Sequence, residues 1–357
     1  MSTNQLYHNW FMWIRQLRPN ERITRVRNMA WLMTGILMSR SVHLSHIAGK
    51  IPGMAVRNSI VQRIRRFLNN SAVRVRSWYG PIARDLLESQ ATSSGTIRLI
   101  LDGTKVGFGH QLLMVAIAYR RRAIPIAWTW VRCKRGHSSA HKQLALLAYV
   151  HDLTPTDCPV VACGDSEFGA VDVLKQLDRW HWGYVLRQKG SHLVKLDGKD
   201  WQRFGDLIEK AGQSLWFRQA LLTKKHAYKA NLLAHWKKGE KEPWLLATNL
   251  PTMKAGLAAY RWRMWIEEMF GDFKKHGFDL ESTHLRHFLR LSRLTLAVAL
   301  LYVWLVAFGS QVIKNGRRRL VDRSDRRDLS IFRIGYDTVN RCMTNSLPFS
   351  IRLIPYF

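Results

Sequence analysis

Three carboxylates in this sequence stand where acidic side chains from separate elements could converge. Asp102 closes the apolar run Thr96-Ile97-Arg98-Leu99-Ile100-Leu101, and Asp165 follows Val160-Val161-Ala162-Cys163-Gly164. Either residue could equally serve as a turn residue or a helix N-cap. The third comes from the segment Tyr260 to Lys274. At about 100° per residue, a continuous helix would bring Tyr260, Arg263, Glu267 and Lys274 within roughly 60° of one another. Trp262, Ile266, Met269, Phe270 and Phe273 would fill a separate arc that faces a core. Glu268 falls about 100° away from Glu267 and Asp272 further still, so Glu267 is the better ligand. A solvated charged face is the plain alternative to a site on this helix.

Such a set suits phosphodiester chemistry. Mg²⁺ is a hard cation that takes carboxylate oxygens and keeps several waters, and Mn²⁺ accepts the same donors. Two such ions about 4 Å apart can activate a water or a 3′-hydroxyl and stabilise the leaving oxygen. Asp102, Asp165 and Glu267 would hold the ions, while Arg263, Lys274 and Tyr260 would hold phosphates.

The elements that must position these groups divide the chain by texture. Residues 1–94 lack strand-like alternation and carry 14 Lys plus Arg against 3 Asp plus Glu. Val42 to Lys50, the turn Ile51-Pro52-Gly53 and Met54 to Asn70 read as helix, turn, helix. The second helix bears Arg57, Arg63, Arg65 and Arg66 opposite an apolar stripe of Ile60, Val61, Ile64 and Phe67. Docking on DNA would use these features, and an ordinary helical bundle with a solvated basic face would show them too. Residues 95–310 alternate strands and helices, which predicts a mixed sheet covered by helices. Three neighbouring strands are followed by helix, strand, helix and strand. Within this region, residues 189–252 read as a β-rich insertion or a separate small sheet, with strands at Ser214 to Leu222, Lys229 to Trp236 and Trp244 to Thr248. A long helical stretch from Met253 to Phe308 breaks near Gly277, and residues 311–357 form a basic C-terminal region.

Composition says which partners to expect. The chain has 357 residues and 56 Lys plus Arg against 25 Asp plus Glu, for a net charge of +31. That excess attracts polyanions, with double-stranded DNA first and an anionic membrane second. No secretory signal is readable at Met1 to Trp13. The longest apolar run, Leu294 to Phe308, falls short of the roughly 20 residues that span a bilayer, so it reads as a buried core helix and no membrane is expected. Cys133, Cys158, Cys163 and Cys342 form no CxxC pair, which argues against a zinc finger and fits a reducing, cytoplasmic compartment.

The spacing Tyr260-x2-Arg263-x3-Glu267-x6-Lys274 resembles the YREK signature of insertion-sequence DDE transposases, in insertion-sequence family four and its relatives. Leu101-Asp102-Gly103 and Gly164-Asp165-Ser166 fit the same pattern, and the resemblance runs over roughly residues 40–310. It implies an α/β fold with an RNase H-like mixed-sheet catalytic core. Asp102 would lie on its first strand and Asp165 after its fourth. Residues 189–252 would be a β-insertion, with a helical N-terminal domain before the core and a helical C-terminal region after it. The implied activity is binding of terminal inverted repeats, two-metal cleavage of element ends and joining of 3′-hydroxyls to target DNA, with hairpin intermediates as one route. A homodimer on DNA is a further family expectation. In relatives, a Trp opening a W-L-L-x-T strand stacks on a flipped base, and Trp244-Leu245-Leu246-Ala247-Thr248 matches that pattern; Trp244 as plain core fits the residues equally well. Two other functions remain open: a DNA-binding protein derived from such an enzyme that no longer cleaves, and a metal-dependent nuclease without strand transfer.

Overall fold

The computed structural model describes residues 2–107, 109–132 and 138–357, so Cys133 lies outside the described residues. Five helices come first, α1 (Ser2–Leu17), α2 (Ile23–Ser39), α3 (Leu44–Ala48), α4 (Arg57–Asn69) and α5 (Val75–Ser94). There follow β1 (Ile97–Val106), β2 (His110–Tyr119), β3 (Arg122–Arg132), α6 (Ala140–His151), β4 (Val160–Gly164), α7 (Val171–Arg179) and β5 (Gly183–Arg187). The next stretch holds β6 (Leu193–Lys195), β7 (Gln202–Arg203), β8 (Ser214–Leu222), β9 (Tyr228–His235) and β10 (Trp244–Thr248). The chain ends with α8 (Met253–Tyr260), α9 (Met264–Phe273), α10 (Phe288–Lys314) and α11 (Ile331–Thr344). Two compact units result. One takes residues 90–104 and 111–268, and the other takes 1–89, 105–110 and 269–357.

The first unit is built on one mixed sheet of strand order β3-β2-β1-β4-β5-β10-β9-β8-β6-β7. β1, β4 and β5 run parallel, because α7 carries the chain back between β4 and β5 as a crossover. β2 and β3 are joined by two residues, Arg120 and Arg121, both in the left-handed region at φ 42° and 64°. Two consecutive positive φ values are what a tight hairpin turn needs to match strand twist. Gln90 ties the start of β1 to this hairpin: its Nε2 donates to the Ala118 carbonyl at 2.7 Å, and its Oε1 accepts from the Arg98 N–H at 2.9 Å. The β-rich stretch is not a separate sheet. β10 pairs antiparallel with β5, and β9, β8, β6 and β7 extend the same sheet outward.

The second unit is helical. α10 packs against α2, α4 and α11, and α1 packs on α2 and α11, so both ends of the chain build it. α10 spans 27 residues, longer than its apolar run, because Arg290 and Arg293 fall inside its first two turns. It is long and apolar enough to cross a bilayer by length and composition, and most of it is buried inside the structure. The buried Arg293 finds acceptors in the Val73 and Leu68 carbonyls, both at 2.9 Å, which closes the C-terminal end of α4. Gly335 lets α11 approach α10: a Cβ there would stand 1.9 Å from the Leu305 carbonyl oxygen. The helix-turn-helix pair is shorter than its pattern predicts. α3 covers only Leu44–Ala48, and α4 starts at Arg57 because Pro52 and a left-handed Gly53 (φ 129°) keep residues 52–56 out of helix. The stripe Ile60, Val61, Ile64 and Phe67 is buried, as expected.

Candidate active site

The site begins with strand register. Leu101 of β1 partners Gly164 of β4, and Gly164 in turn partners Leu186 of β5. One residue further along the three parallel strands stand Asp102, Asp165 and Arg187. Residues level with each other on neighbouring strands share a face of the sheet. Asp102 and Asp165 are therefore level with each other, with Arg187 beside them. β1 runs on past Asp102 to Val106 instead of ending there as its apolar run suggests, and the Arg187 guanidinium is paired with Glu242 at 3.2 Å. Arg187 was missed by sequence reasoning. Its only signal was that it, too, ends an apolar strand.

The remaining groups come from the α8–α9 segment, which is not one continuous helix. α8 begins with Thr252, whose hydroxyl caps it by accepting from the Ala255 N–H at 3.2 Å, and ends at Tyr260. A 3₁₀ turn follows over Arg261–Arg263, and α9 starts at Met264. The tighter turn breaks the single helical wheel from which one face was read. Tyr260 turns inward and is buried with Val185, Leu233, Leu246 and Ala259. Arg263 reaches the carboxylates: its Nη2 lies 2.8 Å from Glu267 Oε1 and 3.5 Å from Asp102 Oδ2. Its Nε is buried and makes no hydrogen bond. Glu268 is drawn away to Arg122 at 2.7 Å, which leaves Glu267 on the Arg263 side.

A second residue outside the sequence reading braces the Asp165 loop. The Glu167 N–H donates to Asp165 Oδ1 at 3.0 Å. The Glu167 carboxylate accepts from Gln111 Nε2 at 2.7 Å, from the Ser138 N–H at 2.6 Å and from the Ser138 hydroxyl. Gly103 leaves room for this: a Cβ there would meet Gln111 Nε2 at 2.5 Å. Since Gln111 and Ser138 are distant in sequence, spacing alone could not have shown the brace.

Electrostatics mark the same place. Burial pushes the Asp102 carboxyl up to about 7; Asp165 and Glu267 add to the rise, while Arg263 and the Gly103 N–H oppose it. Asp165 is also raised, chiefly by burial and against the Glu167 N–H and Arg263. Burial lifts the Tyr260 phenol to about 12. Two acidic groups short of positive charge, offering hard oxygen donors, fit a divalent cation. Among the described residues, however, no three His, Cys, Asp or Glu side chains are gathered closely enough to hold an ion together. Glu267 is held by Arg263 instead.

The other predicted residues are placed as follows. Trp244 opens β10, is partly buried and meets the Tyr260 ring edge-on at 4.9 Å. Lys274 follows α9 in the helical unit, where its Nζ donates to the Lys105 carbonyl at 2.8 Å and pairs with Glu281 at 3.1 Å. Arg57 is held by the Ser45 carbonyl at 2.9 and 2.7 Å. Arg63 is half-buried on α4, while Arg65 and Arg66 are exposed.

The family model described as transposase DDE domain matches residues 94–304, more than half of the chain. No curated protein matches. Among solved structures, the chain is similar to a cryo-EM structure of the piggyBac transposase synaptic complex with hairpin DNA. Identity is 9%, the alignment covers 98% of this chain and 83% of that one, and the TM-score is 0.43.

Proposed function

The chain belongs to the transposase DDE domain family, and we propose that Asp102, Asp165 and Glu267 form its DNA-cutting centre on an RNase H-like core. The observation that carries this reading is the register Leu101–Gly164, which sets the buried Asp102 and the half-buried Asp165 side by side below the helix segment that bears Arg263 and Glu267. With Glu267 released from Arg263 to join them, Asp102 and Asp165 would hold two divalent ions, Mg²⁺ or Mn²⁺. Such ions supply Lewis-acid activation of the attacking oxygen and charge relief at the leaving oxygen.

The chain's own residues then divide the work. Asp102 and Asp165 place negative charge level with each other on two adjacent parallel strands and so select cations over substrate phosphate. Arg263 neutralises that charge when the site is otherwise bare, and Arg187, Arg263 and the protonated Tyr260 hold the phosphate of the scissile strand. Glu167 keeps Asp165 in place through Gln111 and Ser138. Lys274 and the exposed Arg66 contact the DNA backbone further out. Trp244, beside Tyr260, is a stacking surface for a displaced base. The substrate is double-stranded DNA at the element's terminal inverted repeats, cut and then joined to a target by a homodimer in a cytoplasmic setting.

A second reading, a DNA-binding protein that no longer cleaves, draws on the hold that Arg263 has on Glu267. Incubating the chain with Mg²⁺ and a labelled element end separates the readings. Cleavage with joining of the 3′-hydroxyl supports the proposal, cleavage alone indicates a nuclease, and binding without cleavage indicates the second reading.

A further inference from the structure

A cleft of about 460 Å³ opens in the helical unit, away from any residue assigned above except Arg65. His43, Arg65, His284, Arg286, His287 and Arg290 line it, and no carboxylate does. The wall is held firmly. Arg290 Nε donates to Asn69 Oδ1 at 3.1 Å, and the neighbouring Arg293 fastens the end of α4 to α10. The Arg286 carbonyl meets His110 Nε2 at 3.1 Å, and Thr283 Oγ1 accepts from the Leu285 N–H at 3.3 Å. His43 stands at the crowded side of the cleft. Its ring lies 4.7 Å from His46 and 5.1 Å from His284, and its buried Nδ1 makes no hydrogen bond. Burial first, then His46, His284 and Arg57, hold its pKa below the usual 6.5, and only Asp279 works against them.

Positive groups converging on a preformed hollow without a carboxylate are waiting for an anion. Given a net charge of +31, a polyanion is the fitting source. We propose that this cleft seats a backbone phosphate of the bound DNA, and that seating it draws a proton onto His43. The inference rests on the DNA-binding reading above. It adds a second grip, built by α4 and residues 283–290, that the cutting centre does not supply. Guanidinium groups would fork onto the phosphate oxygens, and the phosphate charge would favour the imidazolium form of His43 against the repulsion of His46, His284 and Arg57.

The test measures binding of the full chain to a labelled duplex of arbitrary sequence, across a salt series, at pH 6 and pH 8. Wild type should bind more tightly at pH 6, by up to about tenfold for one proton taken up over a unit of pKa shift. Arg65→Ala should lower the slope of log affinity against log salt by about 0.9, the loss of one phosphate contact. His43→Gln should flatten the pH difference at an unchanged melting temperature. If His43→Gln does not fold, the exposed Arg65→Ala decides alone. Steep wild-type binding with unchanged slope in Arg65→Ala and unchanged pH response in His43→Gln would overturn the cleft and leave the DNA reading standing. Salt-independent wild-type binding would defeat the DNA reading itself. Free phosphate is the competing source: a phosphate-dependent rise in melting temperature lost in Arg65→Ala, with the DNA slope intact, would also overturn the proposal.

Discussion

Arg263 and Asp102 face each other at 3.5 Å, a long contact for an ion pair, while the same guanidinium makes a 2.8 Å contact with Glu267. Arg263 therefore acts as a shared counter-ion for two carboxylates, one buried and one nearly half exposed. Only the buried partner is costly to strand. Arg263→Met should destabilise the protein by about 2–3 kcal/mol at pH 8 in metal-free buffer, with most of that loss absent in an Asp102→Asn background. Denaturant melts of the four proteins in this cycle measure it; equal losses in both backgrounds would show that Arg263 and Asp102 are not coupled.

Asp102 carries a stability cost with a definite sign. Its folded pKa is raised from 3.8 to about 7, so the protonated carboxyl favours the folded state below 3.8 and loses that contribution as pH rises through 7. Asp102→Asn should match wild type at pH 4 and exceed it at pH 8, by roughly 4 kcal/mol at most for a shift of about three units. The check is the unfolding free energy of both proteins against pH with chelator present. A constant difference across that range would mean that the carboxyl is not buried as described.

Glu167 does its work through Asp165. Removing its carboxylate with Glu167→Ala frees Gln111 and Ser138 and unties the Asp165 loop from them, although the residue 167 N–H can still donate to Asp165. Groups that orient a ligand typically cost 10–100-fold in activity when lost, so cleavage should fall by about that much. Glu167→Gln, which keeps part of the hydrogen bonding, should recover some of the rate. Identical rates in all three proteins would remove Glu167 from the account.

The β2–β3 turn spends stability on charge. Arg120 and Arg121 both adopt positive φ, a conformation costing roughly 1–2 kcal/mol per ordinary residue and almost nothing for Asn-Gly. Replacing the pair by Asn-Gly should raise the unfolding free energy by about 1–2 kcal/mol. If the turn also touches DNA backbone, the same variant should flatten the salt slope of DNA binding by up to about 2. A destabilised variant would contradict the turn geometry, and a stabilised one with an unchanged slope would free the turn of any DNA role.

How far the sequence discloses this molecule depends on how local each feature is. Trp244–Thr248 and Ser214–Leu222 are strands at the residues expected of short apolar segments set off by Gly, Lys and Glu turns, since that pattern is local. Asp165 at the end of β4 is likewise readable from the apolar run before it. The helical wheel over Tyr260 to Lys274 carries only part of the site. It separated Glu267 from Glu268 and put Ile266, Met269, Phe270 and Phe273 in the core, but it could not foresee the 3₁₀ turn at Arg261–Arg263, which no hydrophobic period encodes. Lys274 lies one residue past the end of α9 at Phe273, bound to Lys105 and Glu281. Arg187, Glu167 and Gln111 became visible only through strand pairing and long-range hydrogen bonds. The joining of β10 to β5 and the helical unit built from both chain ends are likewise long-range pairings, which composition and spacing do not specify.

The central claim is that Asp102, Asp165 and Glu267 form one cutting centre. The most direct measurement is Mg²⁺-dependent cleavage and joining of a labelled element end by wild type, Asp102→Asn, Asp165→Asn and Glu267→Gln, with Glu268→Gln alongside and DNA binding measured for each. The account predicts that all three site variants bind DNA normally but lose about a thousandfold or more in cleavage, a transition-state loss of about 4 kcal/mol, while Glu268→Gln cuts like wild type. Wild-type cleavage by Glu267→Gln, or loss at Glu268 in its place, would contradict it.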